Sequence, residues 1–353
     1  MIDILSFLRQ LQGSGVEKIA GVPCSFLGPL INAATNQGIY EPFTNEGDAA
    51  SYAAGHALAG KKVAVALQNS GLSNALSPLS SLNELFGLHV LLIVGNRGED
   101  DEPQHRIMAG AVKPFLNALN IPFYDAESGS LDGAFSSLKD SSVAILVNRK
   151  DCFSHVEAAP VPISDLPLRY DVLKAISATA GDAVIVTTTG FTSREMFCIH
   201  DRDKNFYMVG SMGCLSSLAL GIAESLPHKK VIAIDGDSAC LMRLGALYTL
   251  TDRAPDNLCY VVLDNGANES TGGQPNAKGP SRLANIMSSL YETKHAKRTD
   301  EVAKLIAAFF ASSGFVQVHV PIKLGSMKGL PRPDRKLIFD QASRFANAVA
   351  AHK

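Results

Sequence analysis

Val231-Ile232-Ala233-Ile234-Asp235-Gly236-Asp237-Ser238 and, further along, Leu258 to Leu263 running into Asp264-Asn265-Gly266-Ala267-Asn268 are two short apolar runs that each end in a polar turn. A helix-like stretch separates them. Strand, helix and strand at a repeat of roughly thirty residues make one β-α-β unit of a parallel sheet. The residues that follow its strands gather at the carboxyl edge, where open α/β sheets bind ligands. Asp237 and Asn265 therefore come to the same edge. A carboxylate and an amide oxygen there, with a backbone carbonyl such as that of Ala267, form an incomplete all-oxygen shell. Magnesium completes such a shell with phosphate oxygens, and helix N-termini add N–H donors. The plainer alternative makes Asp237 a helix N-cap and Asn265 a turn former.

The same alternation runs outward in both directions. Strands are expected near Ile19 to Val22, Val63 to Leu67, Val90 to Val94 and Val143 to Val147, with a helix from about Asp48 stopped by Gly60. After a Pro-containing stretch at 151–168, which holds Pro160, Pro162 and Pro167, further strands are expected near Ala183 to Thr187, Phe206 to Val209, Val231 to Ile234, Leu258 to Leu263 and Val316 to Val320. The expected fold class is α/β: two doubly wound domains with mainly parallel sheets, at 1–150 and 169–353, joined by a linker at 151–168. The 353 residues are 46% hydrophobic and 19% charged, which supplies a core for each.

With 32 Lys+Arg against 34 Asp+Glu the chain carries a net charge of −2, so it lacks the basic surface that binding to nucleic acid needs. No apolar run approaches the roughly eighteen residues that cross a bilayer. Met1 to Leu8 carries the early acid Asp3 and reads as an amphipathic helix and not as a signal peptide. The cysteines, at 24, 152, 198, 214, 240 and 259, contain no C-x-x-C pair and suit reduced thiols in a cytoplasm. Lys323 to Lys336, basic and Pro-containing, reads as a solvated tail in preference to a polyanion clamp. Neither G-x-G-x-x-G after a strand nor G-x-x-x-x-G-K-[ST] occurs.

Several segments together carry a resemblance. The Gly236-Asp237-Ser238 and Asn265 pair resembles the metal and diphosphate motif of the thiamine-diphosphate-dependent enzymes, and Phe43-Thr44-Asn45-Glu46-Gly47-Asp48 resembles the segment with that family's catalytic glutamate. Gly210-Ser211-Met212-Gly213 is similar to the turn whose apolar residue keeps the cofactor bent. Within the family, the likeness is to the phosphonopyruvate decarboxylases, with sulfopyruvate decarboxylases near. It rests on Gly21-Val22-Pro23-Cys24-Ser25-Phe26-Leu27, Gln68-Asn69-Ser70-Gly71-Leu72, Asp101-Glu102-Pro103-Gln104-His105, Thr188-Thr189-Gly190, Thr192-Ser193-Arg194-Glu195 and Ser270-Thr271-Gly272-Gly273-Gln274.

The resemblance implies a pyrimidine-binding domain followed by a diphosphate-binding domain, with thiamine diphosphate and Mg2+ as cofactors. Asp237, Asn265 and the Ala267 carbonyl would hold the metal. Gly71, Thr189, Gly190, Gly210, Met212, Gly236, Ser238 and Asn268 would contact the cofactor. Glu46, otherwise readable as a surface acid in the first turn of a helix, would exchange a proton with N1 of the pyrimidine. His105 would be a hydrogen-bond donor or general acid. The substrate would be a small 2-oxo acid with a second anionic group, met by Gln104, by Ser25 in a position where related enzymes carry an acid, and by Arg97. A turn serine and a surface salt bridge are the alternatives for the last two. The family's sites lie across a subunit interface, which implies a homodimer or higher homo-oligomer. Three positions depart from the pattern: Ser238 replaces a usual Gly, Cys214 a usual His, and Asn268-Glu269 a usual His-Asp. Decarboxylation, carboligation and a cofactor-binding but silent subunit all stay open on these residues, although a silent subunit has no use for Glu46.

Overall fold

The structure is a computed structural model that describes all residues except 99–100, 129–130, 158–163, 278–280, 332–334 and 351–353. Pro160 and Pro162 of the stretch at 151–168, and Arg332 of the basic segment, lie outside the described residues. The chain divides into two compact units, one of residues 1–160 with 270–278, the other of residues 161–269 with 279–353.

In the first unit β1 (Val16–Gly21), β2 (Tyr40–Pro42), β3 (Lys62–Gln68), β4 (Leu91–Gly95), β5 (Phe123–Asp125) and β6 (Val143–Val147) form one sheet in the order β2-β1-β3-β4-β6-β5. Every pairing is parallel. The central strands are apolar at nearly every position because helices cover both faces. Ala64, Ala66, Leu91, Ile93, Val143 and Ile145 face a core with Phe7, Leu8, Leu11, Leu30 and Ile31. Their neighbours Val63, Val65, Leu67, Leu92, Val94, Ala144 and Leu146 face a second core with Ala49, Ala53, Leu72, Leu79, Val112 and Leu116. Gly21 ends β1 where only glycine fits, since a Cβ there would lie 1.9 Å from the Ala66 carbonyl oxygen.

The second unit contains β7 (Val184–Thr187), β8 (Asn205–Tyr207), β9 (Val231–Gly236), β10 (Leu258–Asp264), β11 (Thr293–His295) and β12 (Val316–Pro321). Its parallel sheet runs β11-β12-β10-β9-β7-β8. Read from the other edge, this is the strand order of the first unit. In both sheets the first strand sends the chain out to one neighbour and receives the third strand on its other side. The helices that follow these strands pack on opposite faces, with Leu30 after β1 and Leu72 after β3 in different cores, and Met196 after β7 and Leu247 after β9 likewise, which is the arrangement at which open α/β sheets bind ligands.

The strands expected from the sequence are all present, and β2, β5 and β11, each three residues long at or near a sheet edge, are additional. The helix expected from Asp48 begins at Glu46, with Asn45 as its cap: Asn45 Oδ1 accepts from the Gly47 N–H at 2.8 Å. The amphipathic N-terminal stretch is the helix Ile4–Gly13, capped by Asp3. The basic segment is not wholly a solvated tail. Within it the Lys323 N–H donates to the Pro167 carbonyl and the Met327 N–H to Glu195 Oε1, and the helix Arg335–Ala350 that follows is held by Gln341, which is buried and exchanges hydrogen bonds with the Tyr207 backbone.

Candidate active site

Within the second unit the carboxyl ends of β7, β9 and β10 bring three polar turns into sequence. β7 runs into Thr188-Thr189-Gly190, a turn clamped by the Ser193 hydroxyl, which bonds the Thr187 and Thr188 carbonyls at 3.2 and 2.7 Å. Gly190 has φ +86° and ψ −141°, a conformation other residues avoid, and opens the helix Phe191–Ile199, whose first N–H groups have no side-chain cap among the described residues. At the end of β9, Asp235 is fully buried. Its Oδ2 accepts from the Tyr260 hydroxyl at 2.6 Å and its Oδ1 from the Gly236 N–H at 2.9 Å, which fixes the turn that presents Asp237. Gly236 has open space where a Cβ would be, the nearest atom being Thr188 Cγ2 at 3.9 Å.

Asp237 is the first residue of the helix Asp237–Met242 and is buried, so Gly236 and not Asp237 occupies the capping position. The Ser238 hydroxyl donates to the Ala267 carbonyl at 3.3 Å, tying the end of β9 to the turn after β10. In that turn Gly266 sits at φ +70°, its N–H donates to Asp264 Oδ1, and the Ala267 N–H donates to Asn265 Oδ1 at 3.1 Å, the turn-forming bond expected of an asparagine. Burial, and then the neighbouring Asp264 charge, hold the Asp237 carboxyl above the ordinary range. Burial opposes the charge of Asp264 too, but hydrogen bonds from His319 Nε2 at 2.9 Å and the Ser281 hydroxyl at 2.7 Å outweigh it and keep Asp264 ionised. The turn Gly210–Gly213 after β8, with Ser211 at φ +53°, packs on the Asp237–Met242 helix: a Cβ on Gly213 would meet the Ala239 carbonyl at 3.2 Å. Met212 is half-buried on this turn. Asn268 follows Ala267 in the turn after β10, half-buried, so all the positions expected to contact diphosphate or metal lie on four adjacent strand ends.

The first unit repeats the arrangement with different side chains. After β2, Glu46 is buried at the start of its helix, its Oε2 accepting from Asn74 Nδ2 at 2.8 Å. Its Oε1 lies against Gly71 so closely that a Cβ on that glycine would fall 2.2 Å away. After β4, Arg97 is 11% exposed in its side chain and pairs through Nε with Asp101 Oδ2 at 2.5 Å and through Nη2 with Glu102 Oε2 at 3.6 Å, so this is a part-buried ion cluster and not a surface salt bridge. Its guanidinium also reaches Gln68 Oε1 at 3.4 Å and the Phe26 ring. Gln104 Nε2 donates to the same Glu102 oxygen at 2.5 Å, while Gln104 Oε1 is buried without a hydrogen-bond partner among the described residues. His105 is 2% exposed and neither ring nitrogen makes a hydrogen bond among the described residues, Glu102 Oε2 being 3.7 Å from Nε2. A buried imidazole without partners costs free energy unless a ligand supplies them. Ser25 lies half-buried in the turn after β1. Gln274, from the Gly272-Gly273-Gln274 segment, belongs to this unit and donates to Asn32 Oδ1 at 3.2 Å.

Asp235, Asp264, Glu195 and Glu269 fall within segments quoted from the sequence but receive no role there, and Asn74, Arg169, Tyr260 and His319 are not named. Asp235 and Asp264 flank motif residues and were within reach of sequence reasoning. The others depend on contacts between distant parts of the chain.

Two protein-family models match the chain. "Thiamine pyrophosphate enzyme, N-terminal TPP binding domain" covers residues 6–113 and "Thiamine pyrophosphate enzyme, C-terminal TPP binding domain" covers residues 181–323. Among curated proteins it is similar to the phosphonopyruvate decarboxylase of Streptomyces viridochromogenes, at 34% identity over 94% of this chain and 91% of that one. It is similar also to that of Streptomyces hygroscopicus, at 35% over 94% and 90%. The sulfopyruvate decarboxylase of Methanosarcina acetivorans is 28% identical over 77% of each chain.

Proposed function

This chain belongs to the thiamine-diphosphate-dependent decarboxylases, and we propose that it converts 3-phosphonopyruvate to phosphonoacetaldehyde and carbon dioxide. The observation that carries the substrate is the likeness to phosphonopyruvate decarboxylases along 94% of the chain. In this reaction the bond between the carboxylate and the carbonyl carbon breaks, carbon dioxide leaves, and a proton takes its place, with no net redox change. Thiamine diphosphate supplies the electron sink that the step requires and that no side chain provides.

The residues of the second unit fit that group. Among the described residues no cluster of three or more His, Cys, Asp or Glu is arranged to hold a metal by itself. Asp237, Asn265 and the Ala267 carbonyl are half of an oxygen shell, which suits Mg2+ with diphosphate oxygens and water. Gly190, Gly236 and the uncapped N–H groups at Phe191 suit the diphosphate, Ser238 and Asn268 border it, Thr189 and Gly210 line the turns beside it, and Met212 offers the apolar support. In the first unit the Glu46 carboxyl, oriented by Asn74 and confined by Gly71, would exchange a proton with N1 of the pyrimidine. His105 and Gln104, each with a buried atom that makes no hydrogen bond among the described residues, would bind the 2-oxo acid, and His105 would deliver the proton to the product carbon.

A second reading, sulfopyruvate as substrate, has one observation in its favour. Arg97 is already faced by two carboxylates, which leaves less free positive charge for a dianionic phosphonate than for a monoanionic sulfonate. Ser25 adds no charge of either sign. Initial rates on phosphonopyruvate, sulfopyruvate and pyruvate, with thiamine diphosphate and Mg2+, separate the readings: phosphonopyruvate is expected to give the highest kcat/KM, and a higher value for sulfopyruvate would replace it. The working unit in this proposal is a homodimer in a reducing, cytoplasmic setting. Six free thiols are consistent with that setting, and no helix among the described residues is long and apolar enough to cross a membrane.

A further inference from the structure

Glu269 stands in the position where the family pattern has Asp, and none of the roles above uses it. Its side chain is only 13% exposed. Oε1 accepts from the Gly325 N–H at 2.7 Å. Oε2 accepts from Arg169 Nη2 and also from Asn265 Nδ2, the latter at 3.0 Å. Arg169 is itself fixed, 5% exposed, with Nη1 3.4 Å from Glu195 Oε2 and its guanidinium over the Phe191 ring. Glu195 is fully buried and accepts from the Met327 N–H at 2.8 Å.

An asparagine amide exchanges its oxygen and nitrogen by a half-turn at little intrinsic cost, and only its neighbours decide which way it points. A carboxylate accepts and does not donate. Glu269 therefore requires the NH2 group of Asn265, and the reversed amide would set two acceptors against each other. Asn265 Oδ1 is left facing the Ala267 N–H, which uses one lone pair and leaves the other for an ion.

We propose that Glu269, anchored by Arg169 and the Gly325 N–H, is a positioning residue that sets the orientation of the Asn265 amide for the metal. The proposal rests on the reading that Asp237 and Asn265 hold Mg2+. Partners of this kind typically change metal affinity by about 10- to 100-fold.

The test is calorimetric titration of Mg2+ into the full chain with thiamine diphosphate and no substrate, with melting curves of the metal-free proteins as the folding control. Glu269→Gln is expected to weaken Mg2+ binding by about 10-fold, because an amide at this position tolerates either orientation. Asn265→Asp is expected to lose more, since it sets two carboxylates together. The double variant Asn265→Asp with Glu269→Gln is expected to recover most of that loss, the introduced amide donating to the introduced carboxylate. A merely structural Glu269 would give additive losses instead. Should Glu269→Gln not fold, Arg169→Lys, which loosens the anchor while keeping its charge, is expected to weaken Mg2+ in the same direction. Parent-like Mg2+ affinity in Glu269→Gln, or in Arg169→Lys where that replaces it, while Asp237→Ala loses binding, overturns the proposal and leaves the metal site standing, as do additive losses in the double variant. Equal Mg2+ binding by the parent and by Asp237→Ala removes the metal reading and this inference with it.

Discussion

At the scale of single residues the proposed chemistry divides between two carboxyls that the fold treats differently. Glu46 accepts from the Asn74 amide and lies against Gly71, so Glu46→Gln keeps the shape and removes the carboxyl that would exchange the proton. That variant is expected to bind thiamine diphosphate as the parent does and to lose about 10²- to 10⁴-fold in kcat. Cofactor titration beside turnover checks it, and parent-like exchange of the thiazolium C2 proton in the variant would clear Glu46 of the role. Asp237 has a carboxyl raised by burial and by Asp264. A carboxyl raised in the folded state binds its proton more tightly there than in the unfolded chain, so its contribution to metal-free stability is fully present below about pH 4 and is lost as pH rises through the raised value. Mg2+ needs the ionised form, so its binding is expected to tighten with rising pH and to release a proton. Calorimetry in buffers of different ionisation heat reads that proton; an uptake would contradict the assignment. Asp237, Asn265 and Glu46 were legible as candidates because each stands in a segment whose local pattern is informative. Glu269 was not, since its partner Arg169 lies on a helix a hundred positions away and only the fold brings them together.

At the scale of elements, the inner strands announced themselves. β9 and β10 are buried along almost their whole length and must be apolar on both faces, so each reads as an unbroken run. The edge elements gave no such signal: β2 contains Glu41 and Pro42 and β11 is Thr-Lys-His, three residues that pair on a sheet margin without needing an apolar face. The C-terminal helix was hidden for a similar reason, because Arg335 to Ala350 is polar on average and docks through Gln341 and the Arg344 pair with Asp201. The turns matter more to function than either. Gly71 lies in the three-residue turn between β3 and the helix Leu72–Pro78, and its missing side chain is the space that the Glu46 carboxyl occupies. Gly71→Ala is expected to displace Glu46, to cost about 1–3 kcal/mol of stability through overpacking, and to lower kcat more than it lowers cofactor affinity. A fully active Gly71→Ala protein would show that the carboxyl has more room than the structure gives it.

At the scale of the whole molecule, two units with one strand order carry different equipment at corresponding strand ends. The end of β2 bears Glu46 and the end of β8 bears the Met212 turn; the end of β3 bears Gly71 and the end of β9 bears Asp237. The sequence displayed the alternation in both halves, but the shared order depends on pairings between strands far apart in the chain and became visible only in the sheets. If, as the family resemblance implies, complete sites form between two chains, then inactive Glu46→Gln and inactive Asp237→Ala proteins are expected to regain part of the parent activity after subunit exchange, and background activity in verified heterodimers would place each site within one chain. The most direct measurement is release of carbon dioxide from phosphonopyruvate by the purified protein, with phosphonoacetaldehyde followed in the same samples. The expected result is stoichiometric formation of both products that requires thiamine diphosphate and Mg2+ and is lost in Asp237→Ala. Release that persists after both cofactors are removed, or no release from phosphonopyruvate where sulfopyruvate or pyruvate is consumed, would contradict it.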